Sequence, residues 1–287
     1  MDIGIGLPAT IPGVQRDDLL PWAQRAEQRG FSSLGVVDRL VYPNYEPLVA
    51  LAAAAAVTER VRLTTDILLA PLRGNGAVLA KQAATVDALS NGRLTLGVAV
   101  GGRPDDFEAA GAPFHERGAL MDGLLEEMKQ VWAGEKRGFA GAIGPPPARA
   151  GGPELLIGGR VDATVRRVTR FGDGWTMGGG TPDALQEMAG KVKQAWSDAG
   201  RDGTPRIVAL CYFALGDDAR QAADTYLLDY YAIIGDVAEM IAQSAAVDES
   251  TAQQYRDAFA AAGADELIYF PCSTDLAQLD LLADAVL

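Results

Sequence analysis

Residues 60–103, RVRLTTDILLAPLRGNGAVLAKQAATVDALSNGRLTLGVAVGGR, constrain the fold more than any other stretch of this chain. An apolar, β-branched run from Val61 to Leu69 is broken by Pro71, and an amphipathic segment follows from Ala77 to Leu89. The chain then turns at Asn91-Gly92 into a second apolar run, Leu94 to Val100. Strands that are apolar almost without interruption are covered on both faces, and a helix between them makes them parallel neighbours. Each strand also ends in residues that a buried strand does not need: Asp66 within the first, Arg73 after it, and Gly101-Gly102-Arg103 after the second.

The same unit recurs along the chain. Strand one is Asp2 to Leu7, ended by Pro8, and a helix starts at about Asp17 and stops at Gly30. Strand two, Ser33 to Val37, closes on Asp38-Arg39, and Glu46 to Thr58 reads as a helix opened near Pro47. Strands three and four come from the organising stretch. A loop carrying Asp105, Asp106 and Glu108 leads to a helix from about Glu116 to Trp132, striped by Leu120, Leu124, Met128 and Val131. Gly134 to Gly152, rich in Gly and Pro, reads as an ordered connection. Strand five is Glu154 to Ile157, with a helix to about Phe171. Strand six is Gly174 to Met177, with a helix after Thr181-Pro182. Strand seven is Arg206 to Leu215, two or three helices occupy Asp217 to Ala262, strand eight is Glu266 to Phe270, and the helix Leu276 to Val286 follows. The first four strands start near residues 2, 33, 61 and 93, a period of roughly thirty residues that suits repeated βα units. The reading is an α/β fold, a (β/α)8 barrel in a single domain over residues 1–287, with extra helices between strands seven and eight. A doubly wound open sheet is the alternative, but it needs a switch-point crevice that this order of elements does not supply. In a barrel, the functional rim lies at the strands' C-terminal ends.

Charge and composition exclude several classes. A formal net charge of −13 leaves no broad basic face for nucleic acid or an anionic membrane surface. Cys211 and Cys272 lie in apolar, strand-like contexts, which opposes a disulfide and fits a reducing cytoplasm. The first strand starts without a signal-peptide pattern, and the alanine-rich stretch Val49 to Val57 is too short to span a bilayer. A soluble cytoplasmic protein is expected.

Arginines follow strands two (Arg39), three (Arg73), four (Arg103) and five (Arg160), and on a common rim they point to an anionic ligand. Alternatively, each is an exposed salt-bridge partner. Glycine clusters follow strands four, five and six: Gly101-Gly102, Gly158-Gly159 and Gly178-Gly179-Gly180. Glycine lets a ligand approach the backbone, and helix-start N–H groups favour phosphate, although no Walker A or G-x-G-x-x-G pattern is present. Asp38 and Asp66 lie at or within adjacent strands, where a buried acid needs partners. They read as an acid/base pair of glycosidase type, as hydrogen-bond partners of a bound heterocycle or an arginine, or as structural acids. His115, the single histidine, falls in a turn and suits a surface or capping role, and no Cys/His cluster is spaced for a transition metal. With few acids and bases and many cradling elements, the hard chemistry falls to a cofactor.

Five segments carry a resemblance: TERVRLTTDILLAPLR, LAKQAATVDALSNGRLTLGVAVGG, AAGAPFHERGALMDGLLEEMKQVW, PELLIGG and FGDGW. Together they make nearly the whole chain similar to the luciferase-like monooxygenases, (β/α)8 enzymes that use reduced FMN or the deazaflavin coenzyme F420. Carried over by position, the resemblance implies that Asp38 matches the acid ending strand two. Asp66-Ile67 matches the strand-three bulge, where relatives often have a non-proline cis peptide under the flavin ring. Gly101, Gly102 and Arg103 fall at the strand-four edge, Gly158, Gly159 and Arg160 at the phosphate-side loop, and Gly178, Gly179, Gly180 and Thr181 at a second phosphate-side segment. The chain departs from the family in carrying Arg39 where many deazaflavin-dependent relatives have His, and Asp66 where small residues are usual. Arginine stays protonated and can only stabilise negative charge or anchor an anion. The compact 134–152 stretch implies a reduced substrate lid. The implied function is an F420-dependent oxidoreductase passing a hydride between the deazaflavin and a small organic substrate. Asp38, Arg39 and Asp66 are its candidate catalytic residues, and a homodimer is expected. An FMN-dependent monooxygenase is the alternative, and a cofactor-binding protein without turnover is a third reading.

Overall fold

The computed structural model describes residues 1–287 and shows a closed barrel of eight parallel strands in chain order. These are β1 (Asp2–Gly6), β2 (Ser33–Val36), β3 (Arg62–Leu69), β4 (Leu94–Ala99), β5 (Glu154–Gly158), β6 (Gly174–Met177), β7 (Arg206–Phe213) and β8 (Glu266–Pro271). The expected strands are all present, with ends displaced by one or two residues, as expected where side-chain pattern rather than hydrogen bonding sets the boundary. Outside run α1 (Arg16–Arg29), α2 (Pro47–Ala55), α3 (Gly76–Leu89), α4 (Pro104–Ala110), α5 (Arg117–Trp132), α6 (Asp162–Phe171) and α7 (Pro182–Asp198). Between β7 and β8 lie α8 (Ala219–Tyr230), α9 (Val237–Gln243) and α10 (Glu249–Ala261), and α11 (Ala277–Val286) follows β8. No helix is long and apolar enough to cross a membrane.

One expected loop is a helix. Residues 104–110 form α4 because Pro104 opens it, Asp105 and Asp106 complement its first turn, and Gly111 closes it at φ 65°. The Gly134–Gly152 connection carries an antiparallel bridge between Lys136 and Ala142, and its Gly144-Pro145 peptide is cis.

Packing and charge give the two ends of the barrel different jobs. At the N-terminal end, Arg206 pairs with Glu154 and, at 2.6 Å, with Glu266, while Ser33 donates to Glu266 at 2.6 Å and Thr95 to Glu154 at 2.8 Å. Inside, Phe270 fills space that Gly6 and Gly35 leave by lacking side chains. The ion-pair cluster closes the N-terminal end, and the opening lies at the other, where the strands of a βα barrel deliver functional side chains.

Candidate active site

The β3–β4 pairing slips where the sequence places Asp66. Thr65 pairs with Leu96 and Leu68 with Val98, so Asp66 and Ile67 together face the single residue Gly97. This is a β-bulge, which re-aims side chains at a barrel rim. Gly97 is required there, since a Cβ would collide with the Thr65 carbonyl. The Asp66-Ile67 peptide is cis.

The bulge borders a cavity of about 390 Å³ at the strands' C-terminal ends. It is lined by Asp38 from the end of β2, by Asp66, Ile67 and Leu69 from β3, and by the stretch Ala99 to Arg103 after β4. Gly158, Gly159 and Arg160 line it after β5, Met177 and Gly178 at β6, and Leu210 and Tyr212 from β7. Tyr230 and Tyr231, at the end of α8, complete the wall.

Asp66 is 1% exposed. Its Oδ1 accepts a hydrogen bond from Thr176 Oγ1 at 2.7 Å, and its Oδ2 is buried with no partner. Burial pushes its carboxyl up to about 7; the Thr176 hydroxyl opposes the shift and the Glu266 charge adds to it. Asp66 is therefore an acid poised to hold or release a proton near neutrality. Asp38 differs. Its Oδ2 accepts from the Leu69 backbone N–H at 2.9 Å and from Arg73 Nη2 at 2.7 Å, and Arg73 also meets Glu46 at 3.3 Å. Burial raises the Asp38 carboxyl above its ordinary value, with the Arg73 charge and the Leu69 N–H pulling the other way.

The glycines are cramped where the cavity is tightest. A Cβ on Gly158 would fall inside the Ile67 side chain, and Gly159 and Gly101 have φ of 127° and 78°. Arg160 donates to the Gly179 carbonyl and forms no ion pair with an acid within reach.

Several expected residues lie off the cavity. Arg39, 7% exposed, is held in a clamp: its Nη2 meets Asp105 at 2.6 Å and its Nε meets Asp106 at 3.0 Å. Asp106, 0% exposed, also accepts from the backbone N–H groups of Leu40 and Val41. Arg39 therefore ties β2's end to α4, and its Nη1 also donates to the carbonyl of Tyr230, a wall residue, at 3.4 Å. Gly179 and Gly180 are not in the wall, and Thr181 caps α7 by accepting from the Ala184 N–H at 3.3 Å. Tyr226, Phe270 and Cys272 are buried behind the wall, in one cluster with Leu210, Tyr212 and Tyr230, and Tyr226 bonds Thr10 at 2.6 Å. The two cysteines are free thiols. His115 is exposed with its ring edge against Phe114. No group of His, Cys, Asp and Glu side chains is arranged to hold a metal ion.

The sequence reading missed Tyr212 and Tyr231. Their hydroxyls are 2.8 Å apart, and burial keeps both phenols above their ordinary range. The alternation of β7 could have flagged Tyr212, whose side chain must face inward alongside Leu210. Nothing local flags Tyr231, which lies just past the end of α8.

Comparison with known proteins gives a consistent picture. A family model described as luciferase-like monooxygenase matches residues 1–268. An uncharacterised protein of Mycobacterium tuberculosis is 33% identical over 210 residues, spanning 63% of this chain and 72% of that one. An F420-dependent glucose-6-phosphate dehydrogenase of Nocardia farcinica is 28% identical over 229 residues, spanning 73% of this chain and 68% of that one. Among solved structures, an F420-dependent secondary alcohol dehydrogenase in complex with an F420-acetone adduct superposes with a TM-score of 0.80. It is 19% identical and is covered to 98%, with 99% of this chain matched.

Proposed function

Because this chain belongs to the luciferase-like monooxygenase family, whose members make it an oxidoreductase, we propose that it is an F420-dependent enzyme exchanging a hydride with a small organic substrate. The proposal includes a homodimeric, cytoplasmic enzyme. The observation that carries it is Asp66: a buried carboxyl with one unpartnered oxygen, at a bulge in the wall of a cavity cramped by glycine backbone.

These residues fit a deazaflavin. A cavity of about 390 Å³ is of the size that encloses a planar ring system while leaving a long polar tail outside. The Asp66 Oδ2 needs a hydrogen-bonding partner, and a heterocycle rich in N–H and C=O groups is one. Gly102 and Gly178 line the cavity where an added Cβ would meet open space, which leaves backbone free for close approach of a flat ring, and Arg160 at the rim suits a phosphate. The cofactor, when bound, supplies the hydride chemistry. The chain's own part is to bind and orient it, to exclude water with Ile67, Leu69, Val100 and Leu210, and to hold a proton at Asp66. The relative named as an F420-dependent dehydrogenase supports the deazaflavin over FMN.

Titration of the purified protein with oxidised and reduced F420 and with FMN, followed by fluorescence quenching, tests the reading. Saturable binding of F420 with FMN bound at least about tenfold more weakly is expected. Preference for FMN would move the assignment to monooxygenation, and binding of neither would overturn it.

A further inference from the structure

Arginine 103 stands apart from the other rim arginines by what it lacks. Arg39 is spent on Asp105 and Asp106, Arg73 on Asp38 and Glu46, and Arg160 donates to the Gly179 carbonyl. Arg103 has no acidic partner, and its Nη1 is buried without any hydrogen-bond acceptor. What holds it is aromatic. Its guanidinium carbon lies 4.6 Å from the Tyr230 ring centroid and 4.9 Å from that of Tyr231. This holds the group in place without using its N–H donors. Because Arg103 follows β4 and the two tyrosines end α8, the contact bridges the cavity mouth.

The adjoining hydroxyls show the same imbalance. In the Tyr212–Tyr231 pair, one hydroxyl donates to the other at 2.8 Å, which leaves the acceptor's own proton free. With both phenols kept neutral by burial, that proton is available to a ligand. Arg103 and this hydroxyl pair therefore present donors and no charged acceptor. The cavity's acids stand elsewhere: Asp38 is held by Arg73 and Leu69, and Asp66 lies in the β3 bulge. A wall of unspent donors, one of them a fixed planar cation, selects an anion with two coplanar acceptor oxygens. The apolar and aromatic groups beside it, Val100, Leu210 and Tyr230, favour a flat or aromatic body behind that anion.

We propose that Arg103, with the Tyr212–Tyr231 hydroxyl pair, is the substrate-anchoring site, and that the substrate is a carboxylic acid with a planar or aromatic body. Only the word substrate rests on the oxidoreductase reading; the anion site itself does not.

Benzoate and its neutral isostere benzamide are the probes, measured by calorimetry with and without saturating F420. Wild-type protein, Arg103→Gln, Arg103→Lys and Arg160→Gln are compared, and thermal melting checks that each is folded. Benzoate is expected to bind wild type about tenfold more tightly than benzamide. Arg103→Gln abolishes that preference and Arg103→Lys, which keeps the charge but not the fork, retains part of it. Arg160→Gln keeps the preference, and F420 affinity is unchanged in Arg103→Gln. Equal binding of the two probes by wild type, or full preference in either folded Arg103 variant, overturns the proposal. So does a loss of F420 affinity in Arg103→Gln as large as that in Arg160→Gln, which would assign Arg103 to the cofactor. A benzoate preference in a protein that binds no F420 would leave the anion site standing while the cofactor reading fell.

Discussion

Replacing Asp66 by Asn separates the proton at this position from its hydrogen bonds. The amide oxygen of Asn can still accept from Thr176, and its NH2 group occupies the place of the unpartnered Oδ2, so shape and the 2.7 Å contact are conserved. What disappears is a titration. The folded carboxyl is pushed up to about 7 from an ordinary value of 3.8 by burial, with Glu266 adding to that effect and Thr176 opposing it. Since the folded pKa is the higher one, the folded protein holds this proton after the unfolded chain has lost it. The associated stability is complete below about pH 4 and is lost as pH rises through about 7. A difference of roughly three pKa units corresponds to roughly 4 kcal/mol in all, more than half of which falls between pH 5 and pH 8. Urea unfolding followed by far-ultraviolet circular dichroism at several pH values across that interval measures it. Every other titrating group is shared by the two proteins, so the stability of wild type minus that of Asp66→Asn isolates this carboxyl. The difference should fall by roughly 2–3 kcal/mol from pH 5 to pH 8. A difference that is flat with pH would mean that Asp66 ionises as freely in the barrel as in the unfolded chain, and the argument for a poised acid in the cavity would fail.

Two further substitutions probe the wall and its support. Gly158→Ala places a methyl group inside the Ile67 side chain, so it should destabilise the barrel by about 1–3 kcal/mol and weaken F420 binding by at least about tenfold; a thermal melt and a cofactor titration read the two effects, and unchanged binding would remove this glycine from the cofactor site. Arg39→Met leaves Asp106 buried without its cation and should cost about 3 kcal/mol in chemical denaturation. An equally stable variant that had lost only turnover would instead return Arg39 to the reaction.

The barrel was legible because its evidence is periodic. Parallel strands buried on both faces read as apolar runs, and the runs from Val61 to Leu69 and from Leu94 to Val100 coincide, within a residue, with β3 and β4. Asp66 was legible as a site residue for a different reason: an acid inside an apolar strand is a local inconsistency, and such inconsistencies gather at sites; the bulge itself was implied only by the family resemblance. The α4 helix was obscured because three acidic residues in seven look like a loop until the Pro104 start and the Gly111 stop are weighed together.

The arginines show where local reading ends. Four follow strands in the same way, and nothing within a few residues of Arg39 or Arg103 tells them apart. Their difference is set at long range. Asp105 and Asp106, which neutralise Arg39, lie two and three residues beyond Arg103, yet the start of α4 aims them back toward β2. Arg103 is thereby left beside tyrosines contributed from the far end of α8. An acidic pair that looks from the sequence like the natural partner of Arg103 instead satisfies the arginine after β2. The free guanidinium at the cavity mouth is therefore a product of barrel closure, which brings the loop after β4 against the helix after β7. Any chain of this family that exchanged the partners of these two arginines would bury a different cation and present a different surface to its ligand.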